Sequence, residues 1–263
     1  MIALSAQHEI TLIERNSKQF ACSLVFIIFR LNQNIKMMKS LTLLFFCLAF
    51  YASGHAQQPI NGAYLAKNGD TSHLWLFIDG YSSYIKYKDD AYQCTWGGPF
   101  SVHSNSILVD VEYNDKQPDE VGRPKHTGAT YSSDEIQLGK LRFTRQEGNQ
   151  QDLDGLWRIT GRQQDGEISN IPRGDRKTIK LLVDGFFQWI AINPAEKGFY
   201  GTGGGHYLFQ DGQYTENILF FSRDDKRVGA SLRFKGELKA EEWHHSGLSS
   251  KGDAIYEIWS KEK

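Results

Sequence analysis

From His73 to Ser260 the chain is a succession of short apolar runs broken at close intervals by polar pairs. In the first half they read "HLWLFID" (73–79), "SYIKYK" (83–88), "SILVDVEY" (106–113) and "KLRFTR" (140–145). In the second half they read "KTIKLLVD" (177–184), "FFQWIAI" (186–192), "ENILFF" (216–221), "GASLRFKGEL" (229–238) and "IYEIWS" (255–260). The runs are rich in β-branched and aromatic residues, and Asp-Gly, Asn-Gly and Asp-Asp turns separate them, which is the signature of strands and hairpins. No stretch sustains an i, i+3, i+4 apolar pattern over about three turns, so helix is expected to be minor. Many short antiparallel strands at even spacing form a meander, and a meander of this size closes as a barrel.

The pattern repeats. Ile60-Asn61-Gly62-Ala63-Tyr64 corresponds to Leu153-Asp154-Gly155-Leu156-Trp157, and "LFIDGYSSYI" (76–85) to "LLVDGFFQWI" (181–190). Trp96-Gly97-Gly98-Pro99-Phe100 then falls opposite Gly203-Gly204-Gly205-His206-Tyr207, and "HTGAT" (126–130) opposite "RVGAS" (227–231). Matches in one order with modest gaps point to a duplication. The polar stretch "RQEGNQQD" (145–152) is the expected join,. The expected organisation is all-β: a first barrel over 57–147 and a second over 152–263.

Gly155-Leu156-Trp157 resembles the G-x-W that opens the first strand of lipocalin-like (calycin) barrels, and Gly62-Ala63-Tyr64 resembles a weakened copy. The longer pattern "GTGGGHY…YTENI…FFSRD…RVGASL…WHHSGLSSKGD…IYEIWS" resembles bacterial secreted domains of lipocalin-like fold with no agreed activity. That resemblance covers 153–262 well and 60–145 weakly. It implies that the aromatic residue plugs one barrel end beneath a basic residue of the last strand. Arg142 or Arg145 would play that part in the first half and Lys261 in the second. Each half is shorter than a classical lipocalin and has no disulfide.

Residues before the repeats carry a different pattern. Met37-Met38-Lys39, the apolar run Leu41 to Tyr51 and the small residues of Gly54-His55-Ala56 read as a secretory signal peptide over 37–56, cleaved after Ala56,. The run is short of the ~20 residues that span hydrocarbon, so no integral membrane span is expected in the mature protein. Residues 1–36 read as an over-extended start, with a two-part anchor as the alternative. Without 1–56 the chain keeps 25 of 30 Lys+Arg and 29 of 31 Asp+Glu, a net charge of −4. That balance offers nothing to nucleic acid. Cys94 is the one cysteine of three left after that cleavage, so no internal disulfide is expected in an exported protein,.

Motif chemistry is sparse. The Gly201–His206 stretch has His where G-x-G-x-x-G needs its last glycine, and no Gly-Lys-Ser/Thr follows, so both phosphate loops fail,. Glycines 203–205 instead suit a strand that bends sharply or approaches another backbone closely. Asp211-Gly212 is a type I′ hairpin dipeptide. It pairs Gln210 with Gln213, Phe209 with Tyr214, Tyr207 with Glu216, and Gly205 with Ile218. Tyr207, Phe209, Tyr214, Glu216, Ile218 and Phe220 then share the face expected to point inward. His206, Leu208, Thr215, Asn217, Leu219 and Phe221 share the other. An inward Glu216 beside two tyrosines would anchor a ligand; at the rim it would be solvated or paired with Arg233.

The leading expectation is a secreted or periplasmic binding module. Its second barrel would hold a small apolar or amphipathic ligand against Tyr207, Tyr214, Glu216, Trp189, His206 and His244, with no cofactor and no catalytic set. A filled barrel acting as an envelope-associated scaffold is one alternative. The other is a hydrolase or isomerase built on His206 and His244. A zinc site could draw on His206, one of the His244-His245 pair, and Glu216 or Glu242, but no H-E-x-x-H spacing supports it. Ser246 and Ser249 lack a G-x-S-x-G elbow, and Arg223 and Arg227 suit a solvated turn.

Overall fold

A computed structural model of the protein describes residues 60–89, 91–103, 106–164, 166–249 and 252–262. The expected signal peptide and the segment before it lie outside the described residues.

The first half forms β1 (Gly62–Asn68), β2 (Thr71–Ile78), β3 (Tyr81–Lys88), β4 (Ala91–His103), β5 (Ser106–Asp110), β6 (Tyr113–Asn114), β7 (Pro124–Thr127), β8 (Ala129–Tyr131), β9 (Glu135–Leu138) and β10 (Leu141–Arg145). Neighbouring strands pair in the order β7-β5-β4-β3-β2-β1-β10-β9-β8, with β6 beside β4. Only Gly128 separates β7 from β8, so the chain itself joins the two ends of the path and the sheet becomes a barrel.

The second half forms β11 (Gly155–Gln164), β12 (Glu167–Asn170), β13 (Lys177–Val183), β14 (Phe186–Asn193), β15 (Gly198–Gln210), β16 (Gln213–Phe221), β17 (Ser231–Lys239), β18 (Glu242–Leu248) and β19 (Ala254–Lys261). Here β11 pairs both β13 and β19, so eight strands close by hydrogen bonds alone, with β12 as an outer flap on β11. Helix is confined, among the described residues, to three 3-10 turns at Pro118–Glu120, Pro194–Glu196 and Asp225–Arg227. The fold is all-β: two tandem antiparallel meander barrels.

Asp79-Gly80, Asp184-Gly185 and Asp211-Gly212 all have positive φ at both positions, as type I′ turns require,. The Asp211-Gly212 hairpin pairs Gln210 with Gln213, Phe209 with Tyr214, Tyr207 with Glu216 and Gly205 with Ile218. The register then shifts between Gly204 and Gly205, where Gly204 pairs Phe220. The extra residue, Leu219, reverses the faces beyond it. Phe220, expected inward, packs outside against Tyr87, their ring centroids 5.5 Å apart. Phe221, expected outward, joins the barrel interior beside Trp189. The glycines permit this crossing: a Cβ on Gly204 would stand 2.5 Å from Phe220 Cζ, and one on Gly205 would collide with the Asn217 carbonyl.

The two barrels share one apolar seam. Leu74, Leu76, Ile85 and Tyr87 of the first bury against Ile179, Leu181, Ile190 and Phe220 of the second. Fully burying each such side chain is worth roughly 1.5–3 kcal/mol. The seam is a pseudo-two-fold. Ser83 and its repeat equivalent Gln188 meet, Oγ to Oε1, at 2.5 Å. Gln188 Nε2 donates to both Thr95 and Thr202, themselves equivalent.

At the seam's edges, Asp79 Oδ2 accepts the Leu156 N–H at 2.9 Å and Asp184 Oδ2 accepts the Ala63 N–H at 3.0 Å. Each barrel's Asp-Gly turn thus caps the first strand of the other. The glycine at each entry makes room. Gly62 (φ +140°) and Gly155 (φ +143°) adopt backbone that side chains disfavour, and a Cβ there would stand 2.7 Å from Asp184 and 3.0 Å from Asp79,.

Candidate functional site

Both barrels are closed at the end where the G-x-aromatic segment enters. In the second, Trp157 is buried, its Nε1–H donates to the Leu153 carbonyl at 2.7 Å, and Lys261 Nζ sits 4.2 Å from the ring centroid. Lys261 also donates to the Asp154 carbonyl. In the first barrel Tyr64 takes the aromatic place and Arg145 pairs opposite it on the last strand, while Arg142 turns outward to Glu135.

Alternation along each strand decides what faces inward. On β13, Ile179, Leu181 and Val183 face the seam, whereas Thr178, Lys180 and Leu182 face the barrel axis. On β16 the inward set is Tyr214, Glu216 and Ile218; on β18 it includes Trp243 and His245; on β19 it is Ile255, Glu257 and Trp259. Towards the end opposite the Trp157 plug, these residues enclose a cavity of about 250 Å3. Its walls are Trp189, Ile218, Phe221, Leu232, Phe234, Ile255 and Trp259. Arg227 and Ala230 from the β16–β17 connection, and Ser249 after β18, complete the rim. A larger groove of about 620 Å3 beside Arg145 and Asp184 is lined almost wholly by polar side chains and follows the outer edge of the seam.

The floor of the cavity is ionic. Lys180 Nζ and Glu216 Oε1 are 3.0 Å apart, with side-chain exposures of 4% and 7%. Tyr214 donates its hydroxyl to the same oxygen at 2.9 Å, and burial, reinforced by the Glu216 charge, pushes that phenol far above its ordinary pKa. Lys180 is boxed by rings: its Nζ lies 4.9 Å from Trp259, 5.0 Å from Trp243 and 5.1 Å from Tyr214. A buried ion pair survives only with such complete satisfaction of its partners.

A second pair stands beside the first. His245 Nδ1 lies 3.2 Å from Glu257 Oε2, which also accepts the Trp259 Nε1–H at 3.1 Å. Burial pulls the His245 imidazole below its usual pKa, so it is neutral at pH 7 and donates through Nδ1–H,. Burial works to raise Glu257, but the His245 hydrogen bond and nearby Lys180 outweigh it and leave the carboxyl below its ordinary value. His245 Nε2 is sealed from solvent and has no hydrogen-bond partner among the described residues. Glu257 Oε1 accepts no hydrogen bond among the described residues, and 26% of that side chain stays accessible, facing the cavity.

The structure divides the residues singled out in the sequence. Glu216 and Trp189 line the cavity and Tyr214 lies directly beneath. Glu216 pairs with Lys180 rather than with Arg233 at the rim. Tyr207 is in the core but nearer the plugged end, donating its hydroxyl to Asp154. His206 and His244 do not belong with them. His206 is exposed on the outer face against Phe186, and His244 points outward to the Tyr256 hydroxyl at 2.7 Å. Strand alternation is the reason: His206 is next to inward Tyr207, and His244 next to inward His245.

Lys180, Glu257 and Trp259 were missed, and His245 was weighed only as one of two histidines for a zinc site. The repeat alignment held one signal, since Lys180 falls opposite Trp75, a charge where the other copy has its largest core ring. Among the described residues no group of three or more His, Cys, Asp or Glu side chains converges as a metal ion needs.

The sequence matches no protein-family model and no curated protein. Solved structures resemble it at low identity. A lipocalin-like protein from Bacteroides uniformis aligns with a TM-score of 0.32 and 18% identity, covering 43% of this chain and 100% of that one. An uncharacterized protein from Bacteroides eggerthii aligns with a TM-score of 0.29 and 16% identity, covering 41% and 99%. At these values the likeness concerns the fold alone.

Proposed function

We propose that the second barrel is a small-molecule-binding module and the first a filled barrel that buttresses it. One observation carries this reading: a cavity of about 250 Å3 with ionised side chains in its floor occupies the second barrel, where the first is packed with rings. At ~30 Å3 per water the cavity has room for about eight waters, so the ligand is compact, with a polar group at the floor and an apolar body against the walls. Binding is favoured over catalysis because the one neutral imidazole nitrogen in the site, His245 Nε2, is sealed away from solvent. The apolar run Leu41 to Tyr51 followed by Gly54-His55-Ala56 supports export to the periplasm or medium,.

Native mass spectrometry of the protein purified from its own host tests the binding reading: a stoichiometric small molecule, lost in a variant with Trp189→Ala, is expected. A protein of bare mass that takes up no small organic probe in titration would overturn it. N-terminal sequencing of the exported protein should begin at Gln57; a retained Met1 would refute the leader.

A further inference from the structure

Among the described residues, the charges that line the cavity do not balance. Lys180 is engaged directly by Glu216 and enclosed by aromatic rings, and it acts on Glu257 only from beyond ion-pair distance. Arg227 at the rim is held by Asp224 of its own turn, Nε to Oδ2 at 3.6 Å. His245 is neutral. Among the described residues that leaves Glu257 as a carboxylate with no cation within ion-pair distance, its partner being the neutral His245 imidazole, and with one oxygen open to the cavity. A buried charge needs a partner. The walls around it include the rings of Trp189, Phe221, Phe234 and Trp259, and aromatic faces attract cations,.

We propose that the second barrel's cavity takes a small organic cation, a primary ammonium head on an apolar body, with the head on Glu257 Oε1 and the body against Trp189, Phe221, Leu232 and Ile255. This rests on the reading of that cavity as a binding site and adds the chemical class of its ligand. An ammonium has three donors to offer, and Oε1 is an acceptor without a donor. An anionic head would face Glu257 and Glu216 with Lys180 already engaged by Glu216. A neutral body alone would leave Glu257 unpaired beneath it.

The test uses the full chain and three probes of one chain length: hexylamine, hexanol and hexanoate, titrated calorimetrically at neutral pH. Hexylamine should bind about tenfold or more tighter than hexanol, as a charge-assisted hydrogen bond with ring contacts gives, and hexanoate should not saturate. In Glu257→Gln, which keeps an acceptor for His245, hexylamine should fall to the level of hexanol while hexanol is unchanged. Hexanoate binding as tightly as hexylamine to the unaltered protein would overturn the cation assignment and leave the binding cavity standing. An amine preference surviving in Glu257→Gln would overturn the role of Glu257. Failure of all three probes to bind the unaltered protein would overturn the binding cavity itself. The ranking on the unaltered protein decides the charge of the ligand even if the variant does not fold.

Discussion

The two barrels share strand order, entry motif and a common seam, yet their interiors are opposites. In the first, Trp75 is fully buried and touches Phe77, Tyr84, Trp96 and Phe143, with centroids 5.0–6.2 Å apart. Strand pairing places Lys180 where the first barrel has Trp75, Glu216 where it has Val109, His245 where it has Leu138, and Glu257 where it has Leu141. Gly203 faces Trp189 across β14–β15, as Trp96 faces Tyr84 across β3–β4. The first barrel fills that level with a stacked pair of rings 5.5 Å apart; in the second the Trp189 and Phe221 rings close over Gly203 instead, their centroids 5.6 Å apart. The comparison teaches that the shell of the barrel constrains its filling weakly. Outward residues hold the pair of barrels together, and the inward positions are free to become either a core or a site.

The largest effects should come from breaking each interior by its own means. Trp75→Ala removes the central ring of the first barrel and should cost about 3–5 kcal/mol in urea denaturation, without changing amine binding in the second. Glu216→Ala leaves Lys180 buried and uncompensated and should cost a similar ~3–5 kcal/mol. The distinction lies in rescue. Lys180→Met with Glu216→Val, which makes the second floor resemble the first, should recover most of the Glu216→Ala loss. No second substitution at a charged position should rescue Trp75→Ala. Recovery of neither would show that the ion pair is not what holds the second interior.

The seam predicts a smaller asymmetry. Asp184→Ala loses the Ala63 cap and the Arg145 ion pair at 3.1 Å and should cost about 1–3 kcal/mol by the same measurement,. Asp79→Ala loses the Leu156 cap, while Lys261 stays on the Asp154 carbonyl. Its cost should be roughly half as large. Equal losses would mean that Arg145 adds nothing.

The smallest effect is a pH dependence confined to the second barrel's interior. Burial lowers the folded pKa of His245 below the ~6.5 of an unfolded chain,. The unfolded state therefore binds more protons in that window. The contribution is full above about pH 6.5 and is lost as pH falls through that value towards the folded pKa. His73 is lowered in the same sense, burial again the first cause. In His245→Gln the decline of thermal stability between pH 7 and pH 5 should be shallower but not abolished. An unchanged slope would remove His245 from the account.

Much of the architecture is legible in the sequence. Asp-Gly turns and period-two runs specify strands locally, and the repeated G-x-aromatic entry marked both barrel starts. The hairpin register from Gln210–Gln213 to Gly205–Ile218 followed from one dipeptide, because a type I′ turn fixes pairing for several residues. It failed at Leu219, where a bulge reversed the faces of Phe220 and Phe221. The glycines that allow the crossing were visible, but the position of the extra residue depends on which strand lies across them. The candidate site was half legible for a related reason. Glu216, Tyr214 and Trp189 share the face that the hairpin and strand alternation assign, whereas His206 and His244 drew attention by residue type and stand one position out of phase.

What the sequence determined by itself is therefore local and periodic: strands, turns, duplication, and the alternation that makes neighbouring residues face opposite ways. What tertiary structure decided is which distant inward positions meet. Lys180, Glu216, His245 and Glu257 come from four strands spread over much of the second half, and no spacing along the chain relates them. Barrel closure through β11 and β19 sets their distances. Only then does a lysine become the partner of one glutamate, and only then is the other left facing an aromatic cavity with an open oxygen.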